Sequence, residues 1–207
     1  KLFDDSRQVK QRIKFLDFNE ELMCAALFFQ TNKVRMEKGF VPFKYSRYLQ
    51  LTAFHHGRDI VKYTLDGSLR RISLTQRVKM FSYDFGELNE NVASMPAING
   101  RAGTLVNPPI YGGDPYTDRN GNIIPAFTYK DVAKNIVDMW MKNRITRNNV
   151  LNPRLKVLGT SGVLYFMGSS RIPMIKATQI FSEFISDEFF TGDIKLLPEP
   201  ETPPELK

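Results

Sequence analysis

The sequence predicts an α+β fold, on three observations. Two long amphipathic helical stretches open the chain, a third lies past its middle, and two strand-like runs close on a short Gly-Ser-Ser connection near the C-terminus. Helices grouped ahead of an antiparallel hairpin argue against a doubly wound parallel sheet, which would alternate the two element types.

The first helix begins at Asn19, an N-cap residue followed by Glu20 and Glu21 on the positive helix end. It continues through Leu22, Ala26, Phe29 and Val34 and stops near Gly39. The second covers Ser46 to Thr64, where Leu49, Ala53, His56, Ile60 and Tyr63 recur at alternating spacings of four and three on one stripe. Asp66-Gly67 closes it with a turn. A shorter helix is expected over Leu74 to Phe81. Thr128 and Asp131 form a capping box ahead of Val132, Ile136, Met139 and Trp140, with Trp140 read as core. An Asn-rich loop and the Asn152-Pro153 turn then lead into strands at Leu155–Met167 and Met174–Phe181, joined through Gly168-Ser169-Ser170.

Residues 95–127 differ in texture, with five prolines, five glycines and little periodicity. A loop of that length inside a domain is usually functional. Asn120-Gly121 marks a tight turn, with a small hairpin over Thr117 to Ala126. Asp118, Asn120 and Asn122 alternate as calcium ligands do, but the glycine and closing glutamate of an EF-hand are missing. The tail, LLPEPETPPELK, reads as an extended Pro- and Glu-rich linker.

Composition bounds the function. The chain has 207 residues, a net charge of +7 and a pI of about 9.5. Its basic residues are scattered and carry no nucleic-acid signature, so a solvated basic surface is the reading and no nucleic-acid partner is expected. The densest cluster, Arg70, Arg71, Arg77 and Lys79, fits an exposed helix face. No apolar run reaches the roughly 18 residues that span a bilayer. A leader or lipid anchor upstream of residue 1 is compatible with the sequence. Cys24 is the one cysteine and sits in an apolar helical stretch, as a buried inert thiol would.

Four segments, in order, resemble the CAP superfamily of cysteine-rich secretory and pathogenesis-related proteins, in its bacterial SCP-like branch. They are TNKVRMEKGFVPFKYSRYLQLTAFHHGRDIV, then NENVA at Asn89 to Ala93, then NIVDMWM with RNNVLNPRLKVLG, and finally ATQIFS at Ala177 to Ser182. The resemblance covers about residues 19–183, leaving 1–18 as an N-terminal extension, 95–127 as an insertion and 184–207 as a tail. It implies a three-layer α-β-α sandwich around a central antiparallel sheet, in a secreted, periplasmic or cell-surface protein. It also implies a cleft where many members place two histidines and acidic residues able to hold a divalent ion.

Carried over position by position, that cleft is depleted. The family's histidines fall at Tyr63 and Thr146, one acidic position falls at Gln76, and the other is retained as Glu90. A single carboxylate among Tyr, Gln and Thr is too poor in nitrogen and sulfur to hold zinc, and no other cofactor is expected. His56 reads as a packed or hydrogen-bonded residue on the buried stripe of its helix, at the edge of the cleft. Glu90 has two readings: an anchor for a ligand's hydroxyl, amide or cation, or an acceptor for backbone N–H groups at the start of a strand.

The expected function is a non-catalytic binding or protein-interaction module for an extracellular protein, glycan or lipid. The insertion would cover the cleft, with Tyr111, Tyr116 and Phe127 as contacts. The alternatives are a hydrolase on peptide or cell-wall material with Glu90 as general base, or a lipid- or sterol-binding protein of the kind the resemblance includes.

Overall fold

Helix α1 (Glu20–Glu37) starts where the Asn19 side chain accepts from Leu22 N, with Glu20 and Glu21 in the first turn. It ends ahead of Gly39, whose φ of +80° is the left-handed conformation that lets the chain turn away. The computed structural model describes residues 6–66, 72–100, 105–109, 115–168 and 171–186, with residues 63–66 described for their backbone alone. Within those bounds the order continues through β1 (Lys44–Tyr45), α2 (Arg47–Asp66), α3 (Leu74–Val78), β2 (Leu88–Pro96), β3 (Tyr116–Thr117) and β4 (Ile123–Ile124). It closes with α4 (Tyr129–Lys142), α5 (Arg144–Leu151), β5 (Val157–Met167) and β6 (Ile172–Ser182).

The main sheet runs β1-β5-β6-β2 and lies between two helical layers. Its three long strands are antiparallel, but β1 pairs with β5 in parallel, so the sheet is mixed and not wholly antiparallel as expected. On one face Met23, Ala26 and Leu27 of α1 pack with Val132, Ile136, Val137 and Trp140 of α4 over Ile175 and Ala177. On the other, Leu49 and Ala53 of α2 pack with Val78 of α3 over Val157 and Ile180. Trp140 is core, as its place on the helix stripe predicted. Phe29 departs from the expected stripe and is 46% exposed, because Met23 and Leu27 are the residues α1 turns toward the sheet.

Two buried polar devices tie these layers together. Asn149 Nδ2 donates to Asn91 Oδ1 at 2.8 Å, Asn91 Nδ2 donates to Gln179 Oε1 at 3.2 Å and Thr146 O at 3.1 Å, and Gln179 Nε2 donates to Thr31 Oγ1 at 2.6 Å. This chain of amides links α5, β2, β6 and α1. Arg35, fully buried, donates from Nε to Val41 O and from NH1 to Val150 O and Asn152 O, with its guanidinium 3.8 Å from the Phe43 ring centroid. Burial lowers its pKa to about 10, and the carbonyls and ring take the place of a carboxylate partner.

The Asn-rich stretch expected as a loop is instead helix α5, capped by Asn143 Oδ1, which accepts from Ile145 N and Thr146 N. Residues 6–18 and the described parts of the 95–127 segment fold together. Ile13 N donates to Phe127 O, Lys130 N to Val9 O and Asn99 N to Pro125 O, while Ile98, Tyr116 and Ile124 form a small cluster with Phe15, Val106 and Ile172. The expected hairpin is present as β3 and β4, with Gly121 at φ +80°. Asp118 is its latch, accepting from Asn120 N, Asn122 N and Asn122 Nδ2, so this carboxylate closes a turn instead of facing calcium. Cys24 is buried, which pushes its thiol pKa up to about 11. Gly67, Ser169, Ser170, Arg70, Arg71 and the tail from 187 onward lie outside the described residues.

Helix α2 sits on β5 at a distance only glycine permits. A Cβ on Gly159 would stand 2.1 Å from Leu49 C and Gln50 N, both backbone atoms, so Gly159→Ala should destabilise the protein by about 3 kcal/mol or more. Gly39→Ala meets nothing within 4 Å and should cost about 1 kcal/mol, from its positive φ alone. Urea unfolding of the two variants measures the contrast.

Candidate functional site

The face of β2 that looks toward α2 carries Glu90, and two helices aim side chains at it. One terminal nitrogen of Arg77 on α3 donates to both carboxylate oxygens, at 2.8 and 2.9 Å. His56 Nε2 of α2 lies 3.5 Å from Glu90 Oε1. Local chemistry fixes the Arg77 end. Ser73 and Gln76 close a capping box at the start of α3, which sets the helix's rotation. Leu74 and Val78 then pack into the core, and Arg77 falls on that same stripe, its NH1 donating to Ile72 O. Its Nε is buried without a hydrogen-bond partner among the described residues.

Electrostatics follow from burial and from these cations. Burial raises the pKa of Glu90, and Arg77, by charge and by hydrogen bond, pulls it back down. For His56, burial is the largest cause and the positive charges of Arg77 and Lys176 add to it, lowering its pKa to about 4. The imidazole is therefore neutral at pH 7, and the 3.5 Å approach to Glu90 is a polar contact and not an ion pair. Lys176 on β6 is half-buried with its Nζ 5.8 Å from the Tyr165 ring centroid, and burial lowers its pKa as well.

Other residues singled out from the sequence sit elsewhere. Gln76 is exposed and occupied with the Ser73 cap, so it does not join Glu90. Thr146 lies in the first turn of α5, where its hydroxyl donates to Trp140 O at 2.7 Å and its carbonyl accepts from Asn91. Asn91 leaves β2 on the face opposite Glu90, because successive strand residues alternate, so Thr146 and Glu90 are on different sides of the sheet. Tyr63 lies in the last turns of α2, but its side chain is outside the described residues, as is Tyr111. Tyr116 is buried and its hydroxyl donates to Arg171 O, while Phe127 packs against the α1–α4 core. Both therefore serve packing. The described part of the 95–127 segment leaves β2 at Pro96, paired with Met174, whereas Glu90 pairs with Ile180. Six residues of strand, roughly 20 Å, separate the two, so the described insertion does not lie over Glu90.

Glu90 takes its hydrogen bonds from a guanidinium, not from the backbone N–H groups considered above. Arg77, placed in an exposed basic cluster on sequence grounds, is the residue that reading missed. Its signal was its spacing: an arginine three after Leu74 and one before Val78 shares their apolar stripe, and a largely buried guanidinium there needs acceptors of its own. Glu90 and His56 together offer an ion one carboxylate, already held by arginine, and one imidazole, against the three or four protein ligands of a zinc site. Among the described residues no three His, Cys, Asp or Glu side chains cluster as ligands.

Two measurements test this geometry. Arg77→Ala strands a largely buried carboxylate and should cost about 3 kcal/mol, and the Arg77→Met/Glu90→Leu double variant should lose less than either single change. His56, with its folded pKa held below the unfolded 6.5, gives stability that is present above pH 6.5 and lost as pH falls toward about 4. Its partial exposure keeps the loss to about 1–2 kcal/mol. Glu90, with a raised pKa, acts with the opposite sign, losing stability as pH rises through its folded pKa. Unfolding midpoints across pH 4 to 7 should therefore flatten or reverse in slope in His56→Gln and steepen in Glu90→Gln.

No protein-family model matches the chain, and no curated protein matches it. Solved structures do. An extracellular protein containing an SCP domain from Bacillus anthracis aligns with a TM-score of 0.50 at 15% identity, over 79% of this chain and 41% of that one. An outer surface protein from Borrelia burgdorferi aligns at 0.47 and 13% identity, over 78% of this chain and 92% of that one. A cysteine-rich secretory protein from Staphylococcus aureus aligns at 0.48 and 16% identity, over 80% and 40%. The chain thus spans about two fifths of the Bacillus and Staphylococcus proteins it resembles. A central sheet flanked by helices on both faces, matched to the Bacillus domain, gives this chain an SCP-like fold.

Proposed function

We propose that the chain is a non-catalytic binding or protein-interaction domain of an exported protein, and that its cleft works without a metal ion. The observation carrying this reading is Arg77, which takes both oxygens of the one carboxylate at the resemblance's acidic positions. A guanidinium held at 2.8 Å supplies the positive charge that a divalent cation would otherwise bring. Hydrolysis is poorly served too. General-base work needs a carboxylate free to take a proton from water, and this one is already engaged twice. His56, with a pKa near 4, is a weak base at neutral pH.

Export is supported by the Bacillus protein, an extracellular protein, and no helix among the described residues is long and apolar enough to cross a membrane. The partner would be an extracellular protein, glycan or lipid.

Calorimetric titration with zinc and incubation with peptide and peptidoglycan substrates test the reading. The expected outcome is no one-to-one zinc site in the micromolar range and no turnover. A screen of extracellular proteins and glycans should give a saturable partner whose binding survives EDTA. A micromolar zinc site, or turnover, that Glu90→Gln removes without unfolding the protein overturns the proposal.

A further inference from the structure

Two asparagines of the chain precede a glycine, Asn99 and Asn120. Asparagine in that setting is chemically labile, because glycine has no side chain to shield its amide nitrogen from the carboxamide just before it. Asn120 and Gly121 form the tip of the β3–β4 hairpin and both are exposed. The backbone on either side of them is described, whereas the residues that follow Gly100 are not among the described ones.

The hairpin tip is tied to one carboxylate. Asp118 Oδ1 accepts from Asn120 N at 2.8 Å and from Asn122 N at 2.9 Å, and Oδ2 accepts from Asn122 Nδ2 at 2.9 Å. The main chain adds Asp118 N donating to Asn122 O at 2.9 Å and Gly121 N donating to Asp118 O at 3.1 Å. Bonds from the Asn122 side chain and from the Asn122 and Asn120 N–H groups hold the Asp118 carboxyl below the usual carboxylate range, so the acceptor is ionised at neutral pH. The Asn120 carboxamide takes no part in these bonds and is open to water. A labile side chain thus sits beside a nitrogen that the closed turn directs elsewhere.

We propose that Asn120 is a deamidation site of this chain and that the Asp118 carboxylate restrains the reaction by holding the turn shut. In the reaction the Gly121 nitrogen gives its proton to hydroxide and bonds to Asn120 Cγ. The Cγ–Nδ2 bond breaks, and the side-chain nitrogen leaves as ammonia with a proton from water. Water then opens the cyclic imide at either carbonyl and leaves an aspartate or an isoaspartate. Attack requires Gly121 N to leave Asp118 O, so the closed turn is unreactive and the rate follows its opening. Either product loosens the tip, since isoaspartate routes the backbone through an added carbon and aspartate sets a second carboxylate beside Asp118. The site stands apart from Glu90 and does not depend on the function proposed for it.

Incubation of the whole chain at about pH 8 and about 40 °C, followed by peptide mapping with mass spectrometry, tests this. Asn120 should convert to a mixture of aspartate and isoaspartate, about fivefold or more slowly than the same Asn-Gly sequence in a free peptide. Asp118→Ala should raise the rate about fivefold or more, and Asp118→Asn, which keeps one side-chain oxygen for the backbone N–H groups, should fall between. Circular dichroism of both variants should match the parent chain, because the tip is exposed. No conversion at Asn120 over a period in which the free peptide converts completely, conversion as fast as the peptide's, or equal rates in Asp118→Ala and the parent chain overturns the proposal.

Discussion

The side chain of Asn91 is the point on which the rest of the structure depends. Its amide is 1% exposed and engages Asn149, Thr146 and Gln179 at once, and Gln179 passes the connection to Thr31 of α1. In an interior with little water, each of these groups costs about 1–3 kcal/mol if left unpaired. The network therefore favours one register of β2 on β6 over its neighbours. A slip by one residue would turn Asn91 outward and Glu90 inward, breaking the amide chain and the Arg77 contact together. The α2-facing site exists because the opposite face is locked.

That division explains what the resemblance retains. Asn91 of NENVA, Asn149 of RNNVLNP and Gln179 of ATQIFS are drawn from three of its segments and meet in one buried cluster. Thr146 stays attached to it through a backbone carbonyl, which any residue provides. In the cleft, Glu90 faces Arg77 and a neutral His56, a site that is charge-compensated internally.

Elements governed by local physics were legible in the sequence. Asn19, Thr128 with Asp131, and Asn120-Gly121 each specify a cap or turn within four residues, and the structure has all three. What escaped depended on contacts distant along the chain. Helix α5 has few strong helix formers in RITRNN, and it is held by Asn149 on β2 and by Arg35 on the Val150 carbonyl. The two-residue β1 has no periodicity to read and exists through its bonds to Lys156 and Leu158. Arg77 was obscured by its basic neighbours, although its place on the stripe of α3 was visible. The Pro- and Gly-rich segment showed itself as exceptional, but where its described parts pack was set by contacts such as Ile13 with Phe127, distant along the chain.

Arg35 carries a consequence for the order in which the chain can assemble. Its NH1 reaches carbonyls 115 and 117 residues further along, so the C-terminal end of α1 completes its bonding only after α5 and the Asn152-Pro153 turn are in place. β5 and β6, by contrast, are separated by a short turn and pair early at little loop-closure cost. The hairpin and the helix before it thus provide the surface on which the first helix closes. During synthesis from the N-terminus, the local Val41 and Phe43 contacts of Arg35 are within reach early, whereas its two NH1 bonds require residues 150 and 152 to have emerged.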